Sequence, residues 1–110
     1  MISVAISRNA KGSICGFVLK NHGDAGIVCP AVSLLALNTA NSLEALTDEV
    51  FTCKYEPDGG FLQVELPKIK KGKESPGANL LLEAMALGLR SVKESYSDEI
   101  EIEDDGYDQN

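Results

Sequence analysis

The sequence predicts an α+β fold: a two-layer sandwich in which two helices cover an antiparallel sheet of four or five strands. Three observations lead there. Ile2, Val4 and Ile6 alternate with Ser3, Ala5 and Ser7, the period-two pattern of a strand with one buried face. Two longer stretches, one running from Cys29 to about Leu46 and one opening at Pro76, repeat their apolar residues at helical spacing instead. Turn-forming clusters at Asn9-Ala10-Lys11-Gly12 and Pro57-Asp58-Gly59-Gly60 each separate two extended runs, so the element order is β-β-α-β-β-α.

After the first strand and its turn, residues 13–20 form the second strand, with Cys15, Phe17 and Leu19 on one face. Cys15 reads as a core thiol, since free cysteine packs as a small hydrophobe. In the first helix Val32, Leu35, Thr39, Leu43 and Leu46 mark the buried stripe, and Thr47-Asp48 breaks it. Residues 50–56 form a third strand that turns Phe51, Cys53 and Tyr55 to one side, which makes Cys53 a packing residue. Residues 61–66 return as the fourth strand, with Leu62, Val64 and Leu66 together. The lysine-rich run 67–74 reads as a solvated loop, with contact to RNA or a partner as the minority alternative. Ser75 then caps the second helix and Pro76 opens it, and Leu82, Met85, Leu89, Val92 and Tyr96 form its buried stripe. Ile100 and Ile102 alternate with acids and suggest a short edge strand.

With 110 residues the chain makes one domain, expected to span residues 1–97 and to be followed by an acidic, partly disordered segment at 98–110. That segment holds Asp98, Glu99, Glu101, Glu103, Asp104, Asp105 and Asp108 with no Lys or Arg, while ten acids and ten bases balance before it. A neutral body speaks against direct nucleic-acid binding, and the segment reads as a solvating end or as a lure for a basic partner. No apolar run approaches the roughly 18 residues of a membrane span, and no leader pattern opens the chain, so a cytoplasmic location without membrane attachment is expected. Three cysteines cannot all pair, and no cysteine–histidine cluster suggests a metal; free thiols are expected, with no metal or cofactor.

The chemistry concentrates between Asn21 and Ser33. Pro30 suits the first turn of a helix and disfavours helical geometry in the residue before it, which puts Cys29 at or near the N-cap. A helix start supplies unpaired N–H groups and the positive end of the helix dipole, both of which favour a thiolate nucleophile. His22, the only histidine, is seven positions earlier and can take and return a proton. The spacing by itself is equally that of an unrelated pair. Ser33 falls one helical turn beyond Cys29, either in the same pocket or bonded back to the carbonyl four residues earlier.

The run Gly26-Ile27-Val28-Cys29-Pro30-Ala31-Val32-Ser33, with His22 upstream and the Asp58-Gly59-Gly60 turn downstream, resembles the ribosomal-processing cysteine protease family over most of the chain. The resemblance implies a small bacterial protease that trims an N-terminal extension from large-subunit ribosomal protein twenty-seven. It implies His22 as general base, Cys29 as nucleophile, Ser33 as a supporting hydroxyl, and a homodimer. The chain departs from the family pattern at Asn21, Gly23, Gly26 and Pro30, and its connection between histidine and cysteine is shorter. Only six residues separate the two, a span of about 20 Å at full extension, too short for a lid over substrate. Two further readings stand beside the protease: a non-catalytic, ribosome-associated homologue that kept the fold and lost the closing loop, and a thiol-based redox or acyl-transfer protein.

Overall fold

The chain builds a five-stranded sheet with its two long helices on one face, in a computed structural model that describes residues 1–20, 27–56 and 60–104. In chain order the elements are β1 (Ile2–Arg8), β2 (Ile14–Lys20), α1 (Val28–Leu46), β3 (Thr52–Tyr55), β4 (Phe61–Glu65), α2 (Pro67–Lys70), α3 (Pro76–Ser95) and β5 (Ile100–Asp104). The sheet order is β3-β4-β2-β1-β5.

Register explains the core. Ile6 pairs with Phe17 and Val4 with Leu19 between β1 and β2, and Phe17 pairs with Val64 and Leu19 with Leu62 between β2 and β4. Cross-strand partners share a face, so the alternating apolar residues of three strands form one continuous apolar layer. Val32, Ala36 and Leu43 of α1 and Leu82, Met85, Ala86 and Leu89 of α3 close over it. Each fully buried Leu, Ile or Val is worth about 1.5–3 kcal/mol. The two long helices pack side by side, and one contact between them uses a missing side chain: a Cβ at Gly88 would stand 3.0 Å from Cδ2 of Leu35.

Several expectations are corrected. The sheet is mixed rather than wholly antiparallel, because β5 pairs parallel with β1, Ile2 opposite Ile100 and Ile6 opposite Asp104. The short edge strand suggested at Ile100 and Ile102 is present as β5, within the segment expected as an acidic end, and Ile100 is fully buried. The run read as a solvated loop at 67–74 begins with the short helix α2, which drives Ile69 into the core. Cys53 shares the face of Val64 as expected, yet it is exposed, because β3 is an edge strand and all four of its residues are open to solvent. Leu46 and Tyr96, expected in the helix stripes, lie at helix ends and are exposed. Among the described residues no helix is long and apolar enough to cross a membrane.

Both ends of β1 are stitched down. At its far end Arg8 donates from Nε and Nη2 to the two carboxylate oxygens of Asp104 at 2.8 and 3.0 Å. Its Nη1 donates to Glu83 of α3 at 2.6 Å and to the carbonyl of Gly12 at 2.8 Å, and its Nη2 to Glu83 at 3.3 Å. These bonds use all five guanidinium donors. The Arg8 and Asp104 side chains are 7% and 1% exposed, so this is a buried ion pair tying the first strand, the last strand and α3 together. The paired carboxylates raise the Arg8 pKa further above its ordinary value.

Candidate active site

The strands run so that β2 ends at Lys20, β3 ends at Tyr55, and β4 and β1 begin at Phe61 and Ile2, all at one end of the sheet. Lys20 is the Cα partner of both Ser3 and Phe61, and the N–H of Glu56 donates to the carbonyl of Phe61. Because α1 follows β2, its first turn belongs to this same end. The turn end of the β3–β4 hairpin lies at this end of the sheet as well. His22 and the turn residues Asp58 and Gly59 lie outside the described residues.

Helix α1 starts earlier than Pro30 suggests. Ile27 is the N-cap, and Val28, Cys29 and Pro30 occupy the first three helical positions. The reason is Val28, only 3% exposed, whose burial draws one more residue into the helix. Pro30 is tolerated at the third position because the N–H it lacks has no partner within the helix there either. Cys29 thus sits inside the first turn, half-buried against the core between Val28 and Val32. No side chain caps this helix and no acid stands in its first turn. The field at the helix start therefore acts on whatever anion is brought to it. Ser33 is half-buried one turn further along, on the side of the helix that carries Cys29.

The three thiols differ in setting. Cys15 is buried at 8% exposure. It is the extra residue where the β1–β2 register shifts between Ser7 and Arg8, and its carbonyl accepts from the N–H of Leu66. Cys53 is open at the sheet edge, and partial desolvation raises its pKa. A hollow of about 720 Å³ lies on the helix-free face of the sheet, lined among others by Ser3, Val18, Lys20, Phe61, Gln63 and Glu101; Cys29 does not line it. Among the described residues no group of three or more His, Cys, Asp or Glu side chains is placed to hold a metal ion.

Sequence reasoning passed over Arg8 and Asp104. Part of the signal was available: Arg8 continues the inward series Ile2, Val4, Ile6, and Asp104 continues Ile100, Ile102, so each strand turns a charge toward the core near its end.

A two-layer α+β domain with a thiol in the first turn of the helix that follows a central strand is a build that a small cysteine protease can use. The family model for Cysteine protease Prp matches residues 1–101, and the chain belongs to that family. The Ribosomal processing cysteine protease Prp of Staphylococcus aureus is 26% identical over 107 residues, covering 93% of this chain and 97% of the relative. The crystal structure of the S. aureus essential ribosomal processing protease Prp, in complex with a covalently linked product peptide, superposes with a TM-score of 0.85 at 26% identity. The match covers 94% of this chain and 99% of that one. A Streptococcus mutans protein of known structure is 30% identical with a TM-score of 0.84, covering 96% of this chain and 94% of its own.

Proposed function

We propose that this protein is a cysteine endopeptidase that removes the N-terminal extension of a large-subunit ribosomal protein precursor, with Cys29 as nucleophile and His22 as general base. The observation that carries the reading is the half-buried Cys29 in the uncapped, acid-free first turn of α1, in a chain of the Prp family. The S. aureus relative with its covalently linked product peptide supports a peptide substrate and a covalent step.

In this mechanism the Cys29 Sγ thiolate attacks the scissile carbonyl carbon, and the carbonyl oxygen becomes an oxyanion. N–H groups of the first turn of α1 and the helix dipole stabilise that charge. The tetrahedral intermediate collapses with cleavage of the C–N bond, and His22, holding the proton taken from the thiol, gives it to the departing amine. Water, deprotonated by His22, then attacks the thioester and releases the acid product with the thiol restored. Ser33 is a positioning hydroxyl one turn along. With six residues between His22 and Cys29, substrate is held by the helix start and the neighbouring strand ends rather than by a lid.

The working form is a cytoplasmic homodimer. Apolar residues on the outer helix faces support the dimer: Leu34 and Leu37 on α1, Leu80 and Leu87 on α3 are 69, 38, 72 and 62% exposed. The short connection favours one alternative, a non-catalytic homologue that binds the same precursor. Incubation with a precursor peptide decides between them. The protease reading expects cleavage by the wild type and none by Cys29→Ala, whereas binding without cleavage by the wild type establishes the alternative.

A further inference from the structure

Charge that balances along the sequence does not balance in space. Lys68, Lys70, Lys71 and Lys73 are all exposed, and the fold adds a fifth, Lys11 from the β1–β2 turn, whose Nζ donates to the carbonyl of Gly72 at 3.0 Å. The platform beneath them is ordered. Ile69 is 1% exposed and anchors α2 between its lysines, and the Asn9 amide holds the carbonyl of Ile69 at 2.7 Å. A tight turn through Gly72, at φ 92°, returns the chain so that the N–H of Lys73 donates to the carbonyl of Lys68 at 2.9 Å. Glu74, the acid that ends the run, is turned onto Ser13 and Asn9 instead of onto a lysine. Among the described residues none of these five lysines forms an ion pair. Glu65, at the end of β4, is a second acid nearby; Glu83 and Asp104 also stand at this end but are held by Arg8, with Arg90 beside Asp104, so the five lysines outnumber the acids that no arginine holds.

Of the acids in the C-terminal run, Glu101 and Glu103 line the hollow on the helix-free face of the sheet and Asp104 is held by Arg8. Asp98 and Glu99 lie at the opposite end of the sheet, where the N–H of Ile2 donates to the carbonyl of Glu99. The seven residues of β1 separate the two ends, about 20 Å at strand rise, against a screening length of about 8 Å at physiological ionic strength. The basic end is therefore felt by a partner as basic, whatever the net charge.

We propose that this end, Lys11 with the α2 lysines, is a docking surface for RNA, gripped through its phosphate backbone. Five exposed ammonium groups on an ordered platform match a chain of regularly spaced phosphates and contain no aromatic or amide set to read bases, so binding is independent of sequence. The choice of RNA over another polyanion rests on the proposed function, since a ribosomal protein precursor is delivered to RNA. The surface lies at the end of the sheet opposite Cys29, so RNA held there leaves the start of α1 open to the peptide.

Fluorescence anisotropy of a labelled single-stranded RNA against the full chain, between about 50 and 200 mM salt, tests this. The wild type should bind with a log–log salt slope of about −3, as four or five phosphate contacts on a single strand require. The variant Lys68→Gln/Lys70→Gln/Lys71→Gln/Lys73→Gln should bind at least about tenfold more weakly, while cleaving a short precursor peptide at the wild-type rate. Absence of saturable binding at the lowest salt, equal binding by the variant, or displacement of RNA by polyglutamate at equal charge would each overturn the proposal. RNA binding without peptidase activity keeps this surface and removes the proposed function; peptidase activity without RNA binding does the reverse.

Discussion

Replacing Arg8 by Met should be among the most damaging single changes in this protein. The guanidinium occupies a site only 7% exposed and satisfies both oxygens of Asp104, itself 1% exposed. Without it Asp104 stays buried as an uncompensated charge, and removing one partner of such a pair costs about 3–5 kcal/mol. Arg90, whose Nη1 is 3.8 Å from Asp104, keeps a cation nearby and moves the expectation toward the lower figure. Glu83 is 37% exposed and can be rehydrated, so its lost contact adds little. With unfolding entropy of about 2.1 cal/mol/K per residue, the 110-residue chain loses about 4 °C of melting temperature for each kcal/mol, so the drop should be about 13–22 °C. Thermal denaturation followed by circular dichroism measures it, and hydrogen exchange should show β5 opening first. The double variant Arg8→Met/Asp104→Leu removes both charges and should recover most of the loss. A single variant within about 1 kcal/mol of wild type, or a double variant that loses the sum of both single effects, would refute the reasoning.

Other consequences are as direct. Gly16→Ala should cost about 1–3 kcal/mol by chemical denaturation, because the new Cβ would lie 3.0 Å from the backbone carbonyl oxygen of Val64, which the sheet holds in place. Hydrogen bonds from Ser13 and Asn9 lower the pKa of Glu74 below its ordinary value of 4.5; this stabilises the fold above that pH and is lost as the pH falls through the lowered value. Glu74→Gln should therefore flatten the stability profile on the acid side of about pH 4.5, and an unchanged profile would exclude the linkage. Of the three thiols, Cys29 should react fastest with iodoacetamide at neutral pH. Cys15 is shielded, and Cys53, though accessible, has its thiolate disfavoured by a raised pKa; equal rates at Cys29 and Cys53 would count against the helix-start argument.

How much of this was legible in the sequence depends on the range of the interaction involved. The period-two pattern of Ile2, Val4 and Ile6, the spacing of Leu82, Met85 and Leu89 and the Ser75-Pro76 cap are local, and the structure keeps them all; the Ser75 hydroxyl accepts from the N–H of Ala78. The pairing of β5 with β1 was hidden because its stabilising contact joins Arg8 to Asp104, 96 residues apart, and a run of acids at the end of a chain reads as solvated when no partner is in view. Cys53 was misjudged for a related reason. Its face follows from alternation, but its exposure depends on β3 lying at the sheet edge, which only the strand order reveals. At the site, Pro30 marked the helix start to within two residues, and the burial of Val28 shifted the cap. The end of β2 that leads into α1 and the turn end of the β3–β4 hairpin share one end of the sheet through strand directions that the alternating order implied.

The central claim is that Cys29 is the nucleophile, and its most direct test is acid-quenched mass spectrometry of the protein mixed with a precursor peptide. The account predicts a transient adduct equal in mass to the amino-terminal cleavage fragment less water, mapped to the Cys29-containing fragment. The adduct should be absent in Cys29→Ala and form about two to four orders of magnitude more slowly in His22→Ala. Cleavage that proceeds in Cys29→Ala, or an adduct mapped to Cys15 or Cys53, would contradict it.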